Sequence, residues 1–501
     1  MMSTLVFRRD PHRYVTELAE QYGPVFKLRI LLFHVVCITD PILASEVLWS
    51  RLVDKPRFLY SFLDPFLGGE SMLTSHTNMH WRSVRKAVAP AFSTSNMRVA
   101  LPCVVDKSLA LVNHLRSGDK STVHNMDRLL LRLSMDIIGD FGFQFDLKVI
   151  QGLEGTSSSC TTDCADLLIG STQEIVSRVQ QIGRQTFFWR KDVRHGRQVL
   201  GCFRGYVTKL LKHMKNGHTR KGSIADLLLQ AQSAYADKSL TDRQMFPEIA
   251  ALFFAGSDTT AHAAAFILYL ISQSADVERR VVSEIEDLTL LKCSGERQLR
   301  AIEYADLSRM TYLSAVIKEG LRMYPPVALG QLRISSSDFA LGAKLVIPAG
   351  AIMWIPHHSV QNVSFNWDQP EEFLPERWLS GDAEFALHEK LQLPKELYNS
   401  PTTSGQGRRP KRYMPFAEGP RNCVGQNLAK LSLCAIIATL MQSFSFRLAP
   451  EPPDSAIEEH RTWKRSLSAW TGDQCLHRCW IPMHTEPLRG SNNHGESITT
   501  S

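Results

Sequence analysis

The sequence predicts a mainly α fold with small β-sheets, gathered into a single domain. Three observations lead there. From about residue 80 onward, apolar residues recur at helical spacing, as in Leu129, Leu130, Leu133, Ile137 and Ile138, then Leu167, Ile175 and Val179. Strand-like alternation is confined to Val25–Ile30 and to the stretch from Leu345 to Ile355. No Pro/Gly/Ser linker and no internal repeat splits the 501 residues into self-sufficient halves, and a chain 44% hydrophobic and 21% charged can bury one large core.

The elements follow in order. Tyr14, Leu18 and Tyr22 lie on one helical face until Gly23-Pro24 breaks it, so a helix and then a hairpin open the fold. Residues 1–21 are expected to carry no membrane anchor, because Phe7-Arg8-Arg9-Asp10-Pro11 follows no apolar segment long enough to span a bilayer. The domain is placed at 22–488, with an exposed loop between Ser400 and Lys411 and a disordered tail over 489–501. The longest apolar stretch, Ile249 to Ile271, has Ser257, Asp258, Thr259, Thr260 and His262 at its centre, where a spanning helix would find them costly. It reads as a buried helix that starts, or bends, at Pro247. A further helix runs from near Thr311 to the residues before Tyr324-Pro325-Pro326, where proline stops it.

The formal charge of +7 is dispersed among acidic residues, which excludes a nucleic-acid surface but suits an acidic partner protein or a membrane surface. Ten cysteines at irregular spacing, without a secretory signal, point to a reducing compartment and free thiols.

One cysteine stands apart. In Phe416-Ala-Glu-Gly419-Pro-Arg421-Asn-Cys423-Val-Gly425 a glycine-bounded loop leads a thiol into a helix, marked by Leu428, Leu433, Ile436 and Leu440. Backbone N–H groups at a helix N-terminus favour thiolate, and the two glycines let the backbone approach a flat cofactor. Cys423 is therefore expected to be an anion, while Cys434 and the others read as packing residues. Glu319 and Arg322 share a helix face at i,i+3. Pro375-Glu376-Arg377-Trp378 follows downstream, and Ala255-Gly256-Ser257-Asp258-Thr259-Thr260 interrupts the central apolar helix. There a threonine hydroxyl can take a backbone carbonyl and loosen the turn.

Together these segments resemble the cytochrome P-450 superfamily, over about Tyr22 to Leu448. The resemblance extends to Tyr22-Gly23-Pro24, Leu67-Gly68, Met135-Asp136-Ile137-Ile138-Gly139 and Trp367-Asp368-Gln369-Pro370. It implies a helix-rich triangular prism enclosing heme b, with Cys423 as axial ligand to the iron and Phe416, Gly419 and Gly425 shaping its loop. Glu319, Arg322 and Arg377 would form a buried structural network, and Trp81, Arg85, Arg333 and Arg421 would hold the heme propionates. Asp258 and Thr259 would relay protons to O2, whereas His262 is expected to be a satisfied core histidine. Phe254, Ala255, Val327, Ala328 and Leu329 would line the pocket, roofed by residues 160–220. Trp378 stands where phenylalanine is usual, Ala255 stands where some fatty-acid hydroxylases attach heme through glutamate, and the resemblance is not expected to extend to the anchor and proline hinge of microsomal members.

The implied activity is a monooxygenase that hydroxylates or epoxidises a lipophilic small molecule. Electrons would come from NADPH indirectly, through a separate NADPH-cytochrome reductase or similar donor, since the chain carries no flavin or nicotinamide fingerprint. A heme-thiolate isomerase or dehydratase acting on peroxides and a non-enzymatic heme-binding sensor are the alternatives. A membrane-surface association facing the cytosol, at the endoplasmic reticulum, is the expected location.

Overall fold

In a computed structural model, the described residues are 10–30, 33–118, 122–154, 164–181, 184–217, 219–233, 240–291, 298–343, 345–380, 411–449 and 482–487. Pro11 opens helix α1 (Pro11–Tyr22), and Gly23 at φ 90° ends it, a conformation that costs glycine nothing. Strands β1 (Val25–Ile30) and β2 (Phe33–Ile38) then pair antiparallel, Val25 opposite Ile38. The helix and hairpin are as expected. However, α1 already packs Val15, Leu18 and Ala19 against Phe26, Val35 and Trp354. The chain therefore joins the domain at Pro11, because an amphipathic helix needs an apolar partner, and residue 22 marks only that helix's end.

The longer helices that follow are α2 (Pro41–Trp49), α3 (Met79–Val88), α4 (Thr94–Ser117), α5 (Met126–Ile137), α6 (Cys164–Gln180), α7 (Lys191–Lys215), α8 (Ile224–Ser233), α9 (Asp242–Ser272), α10 (Ala275–Thr289), α11 (Thr311–Met323), α12 (His357–Asn362) and α13 (Gln426–Met441). Among them run strands β3 (Gln331–Ser335), β4 (Phe339–Leu341), β5 (Leu345–Ile347) and β6 (Ile352–Ile355), and then β7 (Phe444–Leu448) and β8 (Pro482–Pro487). The largest sheet runs β1-β2-β6-β3 with Val53–Asp54 at its edge; β6 lies parallel to β2 and antiparallel to β3. Apart from two-residue strands such as Val53–Asp54, strand structure thus resumes at Gln331, ahead of the expected Leu345, because buried Arg333 hides the alternation that a half-buried strand would otherwise display. β8 pairs with β7, Phe446 opposite Thr485, and brings the chain back to the domain. The loop expected from Ser400 lies outside the described residues up to Lys411, as does the tail over 489–501.

The main core surrounds α9, which α5, α11 and α13 flank. Pro247 neither starts nor ends it: the helix begins at Asp242, where Thr241 and Gln244 form a reciprocal capping box that satisfies two orphan N–H groups. Although long and apolar enough to cross a membrane, its most apolar stretch is 78% buried inside the protein, as read from its central polar residues. Two glycines set the packing distances. A Cβ on Gly256 would sit 2.9 Å from Ile138, and one on Gly320 would sit 2.6 Å from Ile267.

Candidate functional site

The loop before α13 is built from the backbone outward. Ala417 (φ 55°) and Gly419 (φ 76°) are left-handed, and a Cβ on Gly419 would fall 2.1 Å from the Leu48 carbonyl oxygen, so only glycine fits. The Cys423 N–H donates to the Phe416 carbonyl at 2.9 Å, closing the loop. Gly425 occupies the N-cap of α13, and its N–H donates to the Cys423 sulfur. A Cβ there would meet only the Phe92 ring, at 3.6 Å. Of the two glycines, Gly419 is thus the one the geometry requires.

Cys423 has open surface yet is enclosed by protein on nearly every side, so that surface faces an interior cavity. Burial raises its pKa above the ordinary thiol value, and the Gly425 N–H, Arg85 and Lys430 pull it only part of the way back. The Gly425 N–H and the two cations act in the direction expected of the loop, toward the anion, and burial opposes them. A bound metal ion would supply the missing positive charge and displace the proton.

α9 contributes a second wall. Ala255 and Thr259 have open surface one turn apart, and the Thr259 hydroxyl donates to the Ala255 carbonyl at 2.8 Å, the carbonyl capture expected of it. Ser257 does the same to Phe253 at 2.8 Å. Phe254 packs edge-on against Phe66, which stacks on Phe203 of α7, so the 160–220 region does meet this apolar wall. After Pro326, Val327 is 47% exposed, whereas Ala328 is buried and Leu329 packs among Trp354 and the sheet residues. Leu329 therefore serves the sheet, its carbonyl accepting from the Trp354 indole at 2.6 Å. Asp258 and His262 share the neighbouring face of α9, where His262 lies between Asp258 and Asp127 of α5. It is a core histidine, as expected, but one with a carboxylate at each ring nitrogen.

The expected network is assembled. Arg322 holds both Glu319 oxygens, at 2.9 and 3.0 Å, and Arg377 adds a bond at 3.0 Å. Remaining donors of Arg322 reach the carbonyls of Gln361 (3.0 Å) and Pro370 (2.8 Å), tying α11 to the segment before Arg377. The Trp378 indole N–H donates to Glu319 at 2.8 Å, a bond that phenylalanine could not make.

Cations crowd the rim of the cavity. Arg85 donates to the carbonyl (2.9 Å) and side chain (2.6 Å) of Asn422, beside Cys423. Arg421 lies 4.4 Å from the centre of the Trp81 ring and donates to Asp54 at 3.3 Å, yet its buried Nε has no partner. Arg333 is buried and donates to the Leu332 carbonyl at 2.9 Å. Sequence reasoning missed Lys55, whose ammonium is held well below its ordinary pKa by burial and by Arg421 and Arg333. It missed His357 as well, buried near Arg333 with neither ring nitrogen partnered. No motif marks either residue. Among the described residues, Asp54 is the one carboxylate bonded to any of these cations, so the rim is short of negative charge. An enclosed thiol, an apolar wall and an anion-deficient rim together fit a flat apolar group with acidic edges and a thiolate-seeking metal, as heme is.

The family description cytochrome P-450 matches residues 1–467. The chain is 27% identical to cytochrome P-450 4d2 of Drosophila melanogaster over 89% of its length and 86% of that protein's. It is 24% identical to cytochrome P-450 monooxygenase acrF of Aspergillus aculeatus (90% and 89% covered) and 23% identical to human cytochrome P-450 3A7 (90% and 84%).

Proposed function

The chain belongs to the cytochrome P-450 family, and on that premise we propose that it oxygenates a lipophilic small molecule with electrons passed from NADPH through a reductase. It is a heme-thiolate monooxygenase, an oxidoreductase that uses heme b and O2. Bound heme supplies the reductive activation of dioxygen. The chain supplies everything around it. In this reading Cys423 ligates the iron within the loop shaped by Phe416, Gly419 and Gly425, and Trp81, Arg85, Arg333 and Arg421 hold the propionate edge. Glu319, Arg322 and Arg377 fix the segment that supports the loop. Thr259 at the cavity wall and Asp258 on the neighbouring face of α9 hold and pass protons. Phe254, Ala255 and Val327 exclude water and orient an apolar substrate.

The observation that carries this reading is the open but enclosed Cys423 beside a rim of cations that meet a single carboxylate, Asp54, among the described residues. An isomerase or dehydratase would have no use for the hydroxyl and carboxylate on α9, and neither would a sensor. Electrons would arrive on the Cys423 side, where Lys430 is exposed to an acidic partner. Phe187, Phe188 and Trp189, with Phe188 and Trp189 each 60% exposed, precede Arg190 and Lys191 and suit a cytosol-facing membrane surface such as that of the endoplasmic reticulum.

The test is the absorption spectrum of the dithionite-reduced, carbon-monoxide-bound protein, wild type beside Cys423→Ala. A Soret band at the red-shifted position of thiolate ligation, lost in the variant, is expected. An imidazole-type band in the wild type would refute the assignment.

A further inference from the structure

Asp258 and His262 are one turn apart on α9 and share a face. That face turns toward α5, whereas Ala255 and Thr259 open on the cavity. His262 Nδ1 lies 2.5 Å from Asp127 Oδ1, and its Nε2 lies 3.4 Å from Asp258 Oδ1. All three side chains are buried. A neutral imidazole can donate from one nitrogen only, whereas the protonated ring donates from both. An imidazole flanked by carboxylates at both nitrogens is therefore a place where a proton can be stored.

We propose that His262 reloads Asp258 with protons during turnover, and that Asp127 holds the ring in position for it. This inference rests on the monooxygenase reading. In the transfer the Nε2–H bond breaks, its electron pair stays on the ring, and an O–H bond forms on Asp258. The ring is left neutral, with its Nδ1–H still bonded to Asp127, which fixes the tautomer. Asp258 passes the proton to the Thr259 side of the helix, and the ring regains one from water. Because the supply enters on the α5 face, the apolar pocket can stay dry while its acid is recharged.

The test compares the heme-loaded wild type with His262→Gln and Asp127→Asn. The first measurement is the C–O stretching frequency of the ferrous carbonyl complex. The second is the division of NADPH electrons between water and hydrogen peroxide, with a reductase and no added substrate. Both variants are expected to keep the thiolate-type carbonyl spectrum and to shift the C–O stretch. Per heme, the water-to-peroxide ratio should fall about tenfold or more, short of the roughly hundredfold that losing the proton donor itself would cost because Asp258 remains, and Asp127→Glu should restore much of it. Wild-type stretch and ratio in both variants would overturn the relay, as would a loss of heme with the per-heme ratio unchanged, the mark of a purely structural role. Absence of the thiolate-type spectrum in the wild type would instead overturn the monooxygenase reading, and the relay with it.

Discussion

Trp378 alters a buried network through one atom. Glu319 is fully buried, and its oxygens take donors from Arg322, Arg377, the Leu374 N–H and the Trp378 indole. Trp378→Phe removes one of these while leaving the charge in place, so the thermal midpoint should fall by the equivalent of about 1–3 kcal/mol. An unchanged midpoint would mean that the indole bond contributes nothing. Arg322→Ala is the harsher change, since it strands a buried carboxylate, and should cost about 3–5 kcal/mol together with heme retention, read from the heme content of purified protein. The network was legible only through the family resemblance, which pairs the Glu319/Arg322 motif with Arg377; the i,i+3 spacing alone reads equally well as a surface ion pair. Lys55, His357 and the indole bond were not, because each depends on which way a side chain points once distant segments meet.

Helix-on-helix spacing has a test of its own at Gly320. Gly320→Ala places a methyl 2.6 Å from Ile267 Cγ1, so α11 and α9 must part. The strain should cost about 1–3 kcal/mol despite alanine's better helix propensity. Ile267→Ala should cost more alone yet relieve that strain in combination, and a double-mutant cycle on denaturation midpoints should return a clearly non-additive term. Strict additivity would show that the glycine is not there for this contact. The same scale governs the aromatic turn between α6 and α7, where Phe187 and Phe188 each pack edge-on against Trp189 without leaving the surface. Replacing all three with alanine should abolish co-sedimentation with vesicles of mixed neutral and anionic lipid while leaving the carbonyl spectrum intact; undiminished binding would place the membrane surface elsewhere. Helix interiors were readable from apolar spacing, but the start of α9 was not, because its capping box lies upstream of a proline that would ordinarily begin a helix. β8 escaped notice for a related reason: Pro482 and Pro487 bound it, and its partner strand is far away in sequence.

For the molecule as a whole, the arrangement that encloses the cavity also sets how stability responds to pH. His80 donates to buried Glu248, which in turn accepts from the Met72 N–H, so this pair ties the segment before α3 to α9. The Glu248 bond raises the His80 pKa, against the opposing effect of burial, and burial raises that of Glu248. Both groups hold protons more tightly folded than unfolded. The His80 contribution is therefore full below about pH 6.5 and fades as pH climbs through the raised value. His358 has the opposite sign: burial, then the charges of His12, Arg13 and Arg322, hold its pKa well below the ordinary one. Its contribution is full above about pH 6.5 and fades as pH falls toward the lowered value. The unfolding midpoint of the holoprotein should thus peak near neutrality and decline on both sides. His80→Asn should flatten the alkaline decline alone, and His358→Asn the acid one alone. If either substitution altered both limbs equally, the two histidines would not be acting as separate titrating contacts, and the pH dependence would have to arise from the charge of the whole surface.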